Sequence, residues 1–146
     1  MKITINQIKQ GEDELILNYK NLNDEVSRII SFANGLNMKL IGFKDKEQIM
    51  INTQDMLYAE SVDGRVFLYT DNEVYRINYS LLQLESILTG GNFFRCSKSM
   101  IININHVSSL KSLSSNRIDA TMENGERIII SRTYATEFRK RLKGDC

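Results

Sequence analysis

The sequence predicts a mainly β fold: an antiparallel β body with short helices, preceded by a small ββαβ extension over residues 1–45. Three observations carry that prediction. From Gln48 onward, short β-prone runs (QIMIN, LYAES, VFLYT, EVYRI) recur at the ~8–12-residue spacing of antiparallel sandwiches and barrels. Turn chemistry separates the strand-like runs of this part, in VDGR (Val62–Arg65), TDNE (Thr70–Glu73) and ENGE, whose Asn124-Gly125 is the strongest short hairpin signal in the chain. Helical periodicity is confined to a few stretches.

The elements follow in order. In KITINQI, Ile3 and Ile5 alternate with polar residues, and ELILNY, after GED, is a second strand-like run. NDEVSRIISFANGL reads as a helix. Asn23 can cap it, Asp24 and Glu25 suit its positive first turn, and Val26, Ile29, Ile30 and Ala33 form one apolar stripe that Gly35 can close. MKLIGF is the last strand of the extension, before the polar turn KDKEQ. Past the four β-prone runs, SLLQLESILTGG is a helix with a Ser80/Gln83 capping box, an apolar face of Leu81, Leu84, Ile87 and Leu88, and a stop at Gly90-Gly91. FFRCSKSMIININHV, VSSLKSL, IDATM and RIIIS continue the β body. SRTYATEFRKRLK closes it as a basic helix capped by Ser131. Tyr134, Ala135, Phe138 and Leu142 point inward, and Arg139, Lys140, Arg141 and Lys143 are left to solvent or a partner.

Composition narrows the function classes. The 146 residues suffice for one domain with a short extension, and such a chain buries roughly two thirds of its unfolded surface. No run approaches the ~18 apolar residues of a membrane span, and MKITINQIK lacks a signal-peptide core, so a cytoplasmic protein is expected. Two cysteines, Cys96 and Cys146, do not make a secreted disulfide scaffold, and a thiol at the last residue is expected to be exposed. With no proline, the turns rely on Gly, Asn, Asp and Ser.

A search for catalytic groups comes back empty. Cys96 and the single histidine, His106, stand ten residues apart across an expected strand, which separates them. Ser108 to Lys111 matches S-x-x-K without its companion motifs, and neither a Gly-rich phosphate loop nor zinc-ligand spacing is present. No enzyme and no cofactor are expected.

Charge is more informative. Residues 1–90 hold 9 Lys/Arg against 13 Asp/Glu, and residues 91–146 hold 10 against 5, beneath a net charge of +1. Either both are ordinary solvated surfaces, or the C-terminal part faces a polyanion. Three cation-bearing turns favour the second reading: Asp63-Gly64-Arg65, Arg95-Cys96-Ser97-Lys98-Ser99 and Ser131-Arg132-Thr133. Arg can read guanine in the major groove, and Lys, Ser and Thr can hold phosphates.

These residues carry a resemblance. FFRCSKSMIININHVSSLKSLSSNRIDATMENGERIIISRTYATEFRKRL resembles the LytTR DNA-binding domain of bacterial transcription regulators. The shared pattern is Phe94-Arg95, Ser97 to Ser99, Ile102-Asn103, Asn124-Gly125, and Ser131, Arg132 and Tyr134. DMLYAESVDGRVFLYT and the helix near residues 80–89 resemble the family's opening strands and helix, so the likeness spans about Gln48 to Lys143. It implies an elongated antiparallel body over residues 46–146 that reads double-stranded DNA with loops entering successive major grooves, at paired direct repeats. Carried over by motif, Lys98 and Arg132 make base or groove contacts with Arg65 third, beside Gly64 and Thr133. Arg95, Ser97 and Ser99 hold phosphate or brace their loop, and Asn103 satisfies backbone groups. Ser97 stands where the family often has His, which leaves base preference at that loop open.

With only about 45 residues before the domain, the chain resembles the small stand-alone regulators that lack a receiver domain. Paired repeats imply a homodimer on DNA, with residues 1–45 a candidate for pairing the copies. Some such regulators are encoded beside a membrane protein that restrains them, which adds such an inhibitor to the candidate partners. Two other readings stay open: a redox- or ligand-responsive module sensing through Cys96, its thiolate favoured by Arg95 and Lys98, and RNA binding, which would want exposed aromatics.

Overall fold

A computed structural model describes residues 1–35, 38–88 and 92–143. Helix α1 (Asp24–Gly35) precedes strands β1 (Lys39–Lys44), β2 (Glu47–Asn52), β3 (Tyr58–Val62), β4 (Arg65–Tyr69) and β5 (Val74–Ile77). Helix α2 (Leu81–Ile87) leads to β6 (Phe93–Ser97), β7 (Met100–Asn103), β8 (Val107–Leu113), β9 (Arg117–Met122), β10 (Arg127–Ile130) and helix α3 (Arg132–Leu142). All strand pairs are antiparallel, in a seven-stranded sheet of order β2-β1-β5-β4-β3-β7-β6 and a three-stranded sheet of order β10-β9-β8. The mainly β expectation holds.

The β3–β7–β6 end of the large sheet is covered on both faces, while β1, β2 and β5 bury chiefly one. On one face Tyr58, Phe94 and Ile102 join Ile118, Met122 and Ile130 of the small sheet and Phe138 of α3. On the other, Ala59, Leu68, Ile77 and Ile101 pack with Leu81, Leu84 and Leu88 at α2. Neighbouring residues in β3 (Tyr58, Ala59) and in β7 (Ile101, Ile102) thus serve opposite cores. Phe138 is fully buried and meets Phe94 edge-on, with ring centroids 5.3 Å apart. Burying such a ring contributes about 1.5–3 kcal/mol.

Several local devices match expectation. Val26 donates its N–H to the Asn23 side chain at 2.9 Å, capping α1. The Ser80/Gln83 capping box closes in both directions at 3.1 and 2.9 Å. Buried Asn103 donates to the Met56 carbonyl at 3.0 Å and accepts from the Asn105 N–H at 3.1 Å, so it satisfies backbone where β7 ends.

Other features differ. Residues 1–23 carry no regular secondary structure, so the two strands expected from KITINQI and ELILNY are not formed. No described strand pairs with them, and two strands alone are marginal in water. The expected strand MKLIGF forms as β1, but pairs with β2 and β5 inside the large sheet. Ser131 makes no side-chain cap for α3. In ENGE only Gly125 has positive φ (88°), and its N–H reaches the Met122 carbonyl at 2.9 Å, giving a type I turn followed by a left-handed glycine rather than a two-residue turn. The Gly90-Gly91 stop and Cys146 lie outside the described residues.

Candidate nucleic-acid interface

Two backbone hydrogen bonds link the elements that carry the three cationic stretches. Ser61 N–H donates to the Ser99 carbonyl at 2.8 Å, joining the end of β3 to the turn between β6 and β7. Ser131 N–H donates to the Cys96 carbonyl at 2.9 Å, pinning the start of α3 against β6. The hairpin at residues 63–65, the turn at 97–99 and the start of α3 at 131–133 are thus linked through β3 and β6.

Each turn is shaped by local chemistry. The β3–β4 hairpin turns on Asp63 and Gly64, both with positive φ (51° and 78°), which leaves Gly64 and Arg65 exposed beyond the sheet. Between β6 and β7 the register slips: Arg95 faces Ile101 and Ser97 faces Met100, so Cys96 is an extra, bulged residue. A bulge bends its strand and re-aims the side chains beyond it. Here Cys96 turns into the core while Lys98 and Ser99 are exposed. Ser97 Oγ accepts from the Ser99 N–H at 3.2 Å and lies 3.4 Å from Ser99 Oγ, which closes the turn.

Arg95 is committed inside this loop. Its guanidinium donates to the Ser97 carbonyl at 2.7 Å, the Lys98 carbonyl at 2.6 Å and Glu85 Oε2 at 3.0 Å, and its side chain is only 19% exposed. Of the two roles expected for it, the geometry fits bracing. Drawing both carbonyls inward leaves the Lys98 side chain outside. Among the described residues, no ion pair or side-chain hydrogen bond engages Lys98, Arg65 or Arg132. Arg132 opens α3, whose first turn holds no acidic residue. A cation there opposes the helix dipole by ~0.3–1 kcal/mol, a cost that an anionic partner would relieve.

One groove gathers Gly64, Arg65, Ser80, Arg95 and Lys98, and with them Arg76, which the sequence reading passed over. Arg76 lies opposite Phe67 in β4, two residues along from Arg65 on the same face, and its guanidinium sits 5.8 Å from the centre of the Phe43 ring. The available signal was its outward place in EVYRI, between half-buried Tyr75 and buried Ile77; its neighbours come from sheet pairing. Arg132 and Thr133 do not line this groove but lie beyond it, across β6. Much of the basic end of α3 is used internally. Arg139 bonds Asn116, Arg141 donates to the Phe93 carbonyl at 3.2 Å and stands 5.9 Å from the Phe94 ring, and Lys140 lies 4.0 Å from Glu137.

Cys96 is 0% exposed, its Sγ 3.6 Å from the Met100 carbonyl, and burial pushes its thiol up to about 12. Desolvation outweighs the nearby Arg95 charge, so the thiolate a sensor needs is disfavoured. His106 joins the two sheets. One ring nitrogen meets the Gln54 carbonyl and the other Glu123 Oε2, each at 2.7 Å. Burial works against its charge, but these two acceptors outweigh it and raise its pKa above the ordinary histidine value. Among the described residues no group of three His, Cys, Asp or Glu could hold a metal, and no helix is long and apolar enough to cross a membrane.

Comparison with known proteins places this geometry. The family model of the LytTr DNA-binding domain matches residues 46–143. The sensory transduction protein LytT of Bacillus anthracis is 34% identical over 95 residues, 65% of this chain and 39% of that protein. The chain thus spans well under half the length of that relative. A Staphylococcus aureus protein described as an HTH-type transcriptional regulator is 28% identical over 136 residues, 92% of each chain. A solved LytTr DNA-binding domain from Bacillus cereus superposes with a TM-score of 0.68 at 28% identity, covering 71% of this chain and 95% of that one.

Proposed function

The chain belongs to the LytTr DNA-binding domain family, and from that premise we propose that it is a transcriptional regulator binding double-stranded DNA sequence-specifically, without chemistry of its own. The observation that carries the reading is the joining of three cationic turns by the Ser61–Ser99 and Cys96–Ser131 backbone bonds. A set of linked, exposed loops suits successive major grooves on one face of a duplex. Lys98 and Arg132 project toward base edges with Arg65 third, and Thr133, Ser97, Ser99 and the Gly64 backbone approach phosphates. Arg95 holds the Lys98 loop in shape, and Arg76 adds a phosphate contact beside Arg65.

The protein acts in the cytoplasm as a pair of copies on direct repeats, and a membrane protein that sequesters it is the regulatory partner this reading accommodates. Selecting bound duplexes from a random library, then footprinting them, tests the proposal. Expected are two repeats in phase, with protection in successive major grooves on one face. Recovery of no shared sequence, or protection confined to the minor groove, rejects it.

A further inference from the structure

Residues 1–22 form an arm whose apolar side chains, half-buried Leu17 apart, the folded body leaves exposed. Eight large apolar side chains between Met1 and Leu22 are more than half exposed, from Tyr19 at 52% to Ile5 at 89%. A monomer's exposed apolar surface is ordinarily scattered or confined to a patch of a few hundred Å2. Hydrophobic transfer assigns each such side chain about 60–120 Å2 of buriable area. The arm therefore offers roughly 500–1,000 Å2, the ~800 Å2 per partner of a stable protein complex.

The pattern specifies how the area is used. Ile3 and Ile5 fall on one face of an extended chain, and Leu15, Leu17 and Tyr19 share a face of the second run, with Ile16 on its other side. The chain bends over residues 9–11, where Gly11 has φ 97°. That is the layout of a β-hairpin whose strands have not closed. A hairpin alone is marginal, whereas four strands with an apolar face are stable, and its unpaired edges are templates for another chain.

Charge selects the partner. The side chains Lys2, Lys9 and Lys20 balance Glu12, Asp13 and Glu14, so the arm lacks the cationic excess that would draw it to a polyanion. Three acids and one lysine, Lys9, gather at the bend, which is thus net negative, while Lys2 and Lys20 stand at the open end. Two arms laid head to tail bring the acidic bend of each against the lysines of the other, a self-complementary arrangement of the kind a two-fold interface requires.

We propose that residues 1–22 pair with the same residues of a second copy, forming an interchain β-sheet that holds the protein as a dimer in the absence of DNA. The inference rests on the arm alone and is independent of the DNA-binding reading.

Sedimentation of the full chain, beside an Ile5→Asp/Leu15→Asp variant, tests it. Both residues are exposed, so the variant's body folds unchanged. Wild type should sediment as a dimer at micromolar concentration, and the variant's dimer should weaken at least ~100-fold. Hydrogen exchange should show the amides of residues 3–8 and 14–19 protected in wild type and open in the variant. A monomeric wild type overturns the proposal, and so does a dimer that persists in the variant or leaves the arm amides unprotected. An arm reserved for a membrane protein would give that monomeric result.

Discussion

Arg95 donates to the Lys98 carbonyl at 2.6 Å, so the buried end of one cation fixes the turn from which the other projects. With the bonds to Ser97 and Glu85, this makes the Lys98 loop a braced platform rather than a loose connection. Replacing Arg95 with Ala should weaken DNA affinity ~10–100-fold, the worth of ~1.5–3 kcal/mol of charge-assisted bonding. Arg95→Lys should recover little, because an ammonium cannot reproduce the fork. The urea midpoint should fall too, but by no more than these bonds supply, because Arg95 belongs to neither apolar core. A larger midpoint shift matched by the affinity loss would make Arg95 merely structural.

Arg132 and Arg76 should separate in kind. Arg132→Ala should cost about 1–3 kcal/mol at the selected site and broaden the bases tolerated there. Arg76→Ala should weaken binding to all duplexes alike and lower the salt slope by about 1. Titrations against selected and scrambled duplexes measure both; the reverse assignment would exchange their roles.

His106 predicts a pH dependence. Its folded pKa is raised, so its contribution to stability is complete below the ordinary value of about 6.5 and is lost as pH rises through the folded value. Urea unfolding of wild type and His106→Gln should therefore differ more at about pH 5.5 than at about pH 8.5. A gap that widens toward alkaline pH contradicts the two-acceptor clasp.

Cys96 should be inert. With the thiol buried and its pKa near 12, mild oxidant should leave DNA binding of wild type and Cys96→Ser equally unaffected. Oxidant-dependent binding in wild type alone would restore the sensing role.

Asn103→Ala should destabilise by about 1–3 kcal/mol, because the buried Met56 carbonyl loses its partner. Chemical denaturation measures this, and DNA contacts need not be invoked.

What the sequence disclosed was local. The Ser80/Gln83 box, the Asn23 cap, the Asp63-Gly64 turn and the backbone role of Asn103 each depend on neighbours within a few residues or on side-chain type. The three cationic turns were legible as turns; their joining needed sheet pairings between β3, β7 and β6 that no local pattern states. The Arg95–Glu85 pair links a helix to a strand, and Arg76 reaches the groove only because β5 lies beside β4. In KITINQI and ELILNY, alternation fixes which side chains share a face but does not supply the adjoining strand. In ENGE, the register of β9 with β10 makes room for a longer turn than the dipeptide signals.

The central claim is tested most directly by the affinity of the full chain for a selected duplex and its scrambled counterpart as salt is raised. Log affinity should fall linearly with log salt, by about 0.9 per phosphate contacted. The selected duplex should bind ~10³-fold or more tightly than the scrambled one, with Arg132→Ala narrowing that gap. A flat salt response, or equal affinity for the two duplexes, would contradict loop-based, sequence-specific DNA recognition.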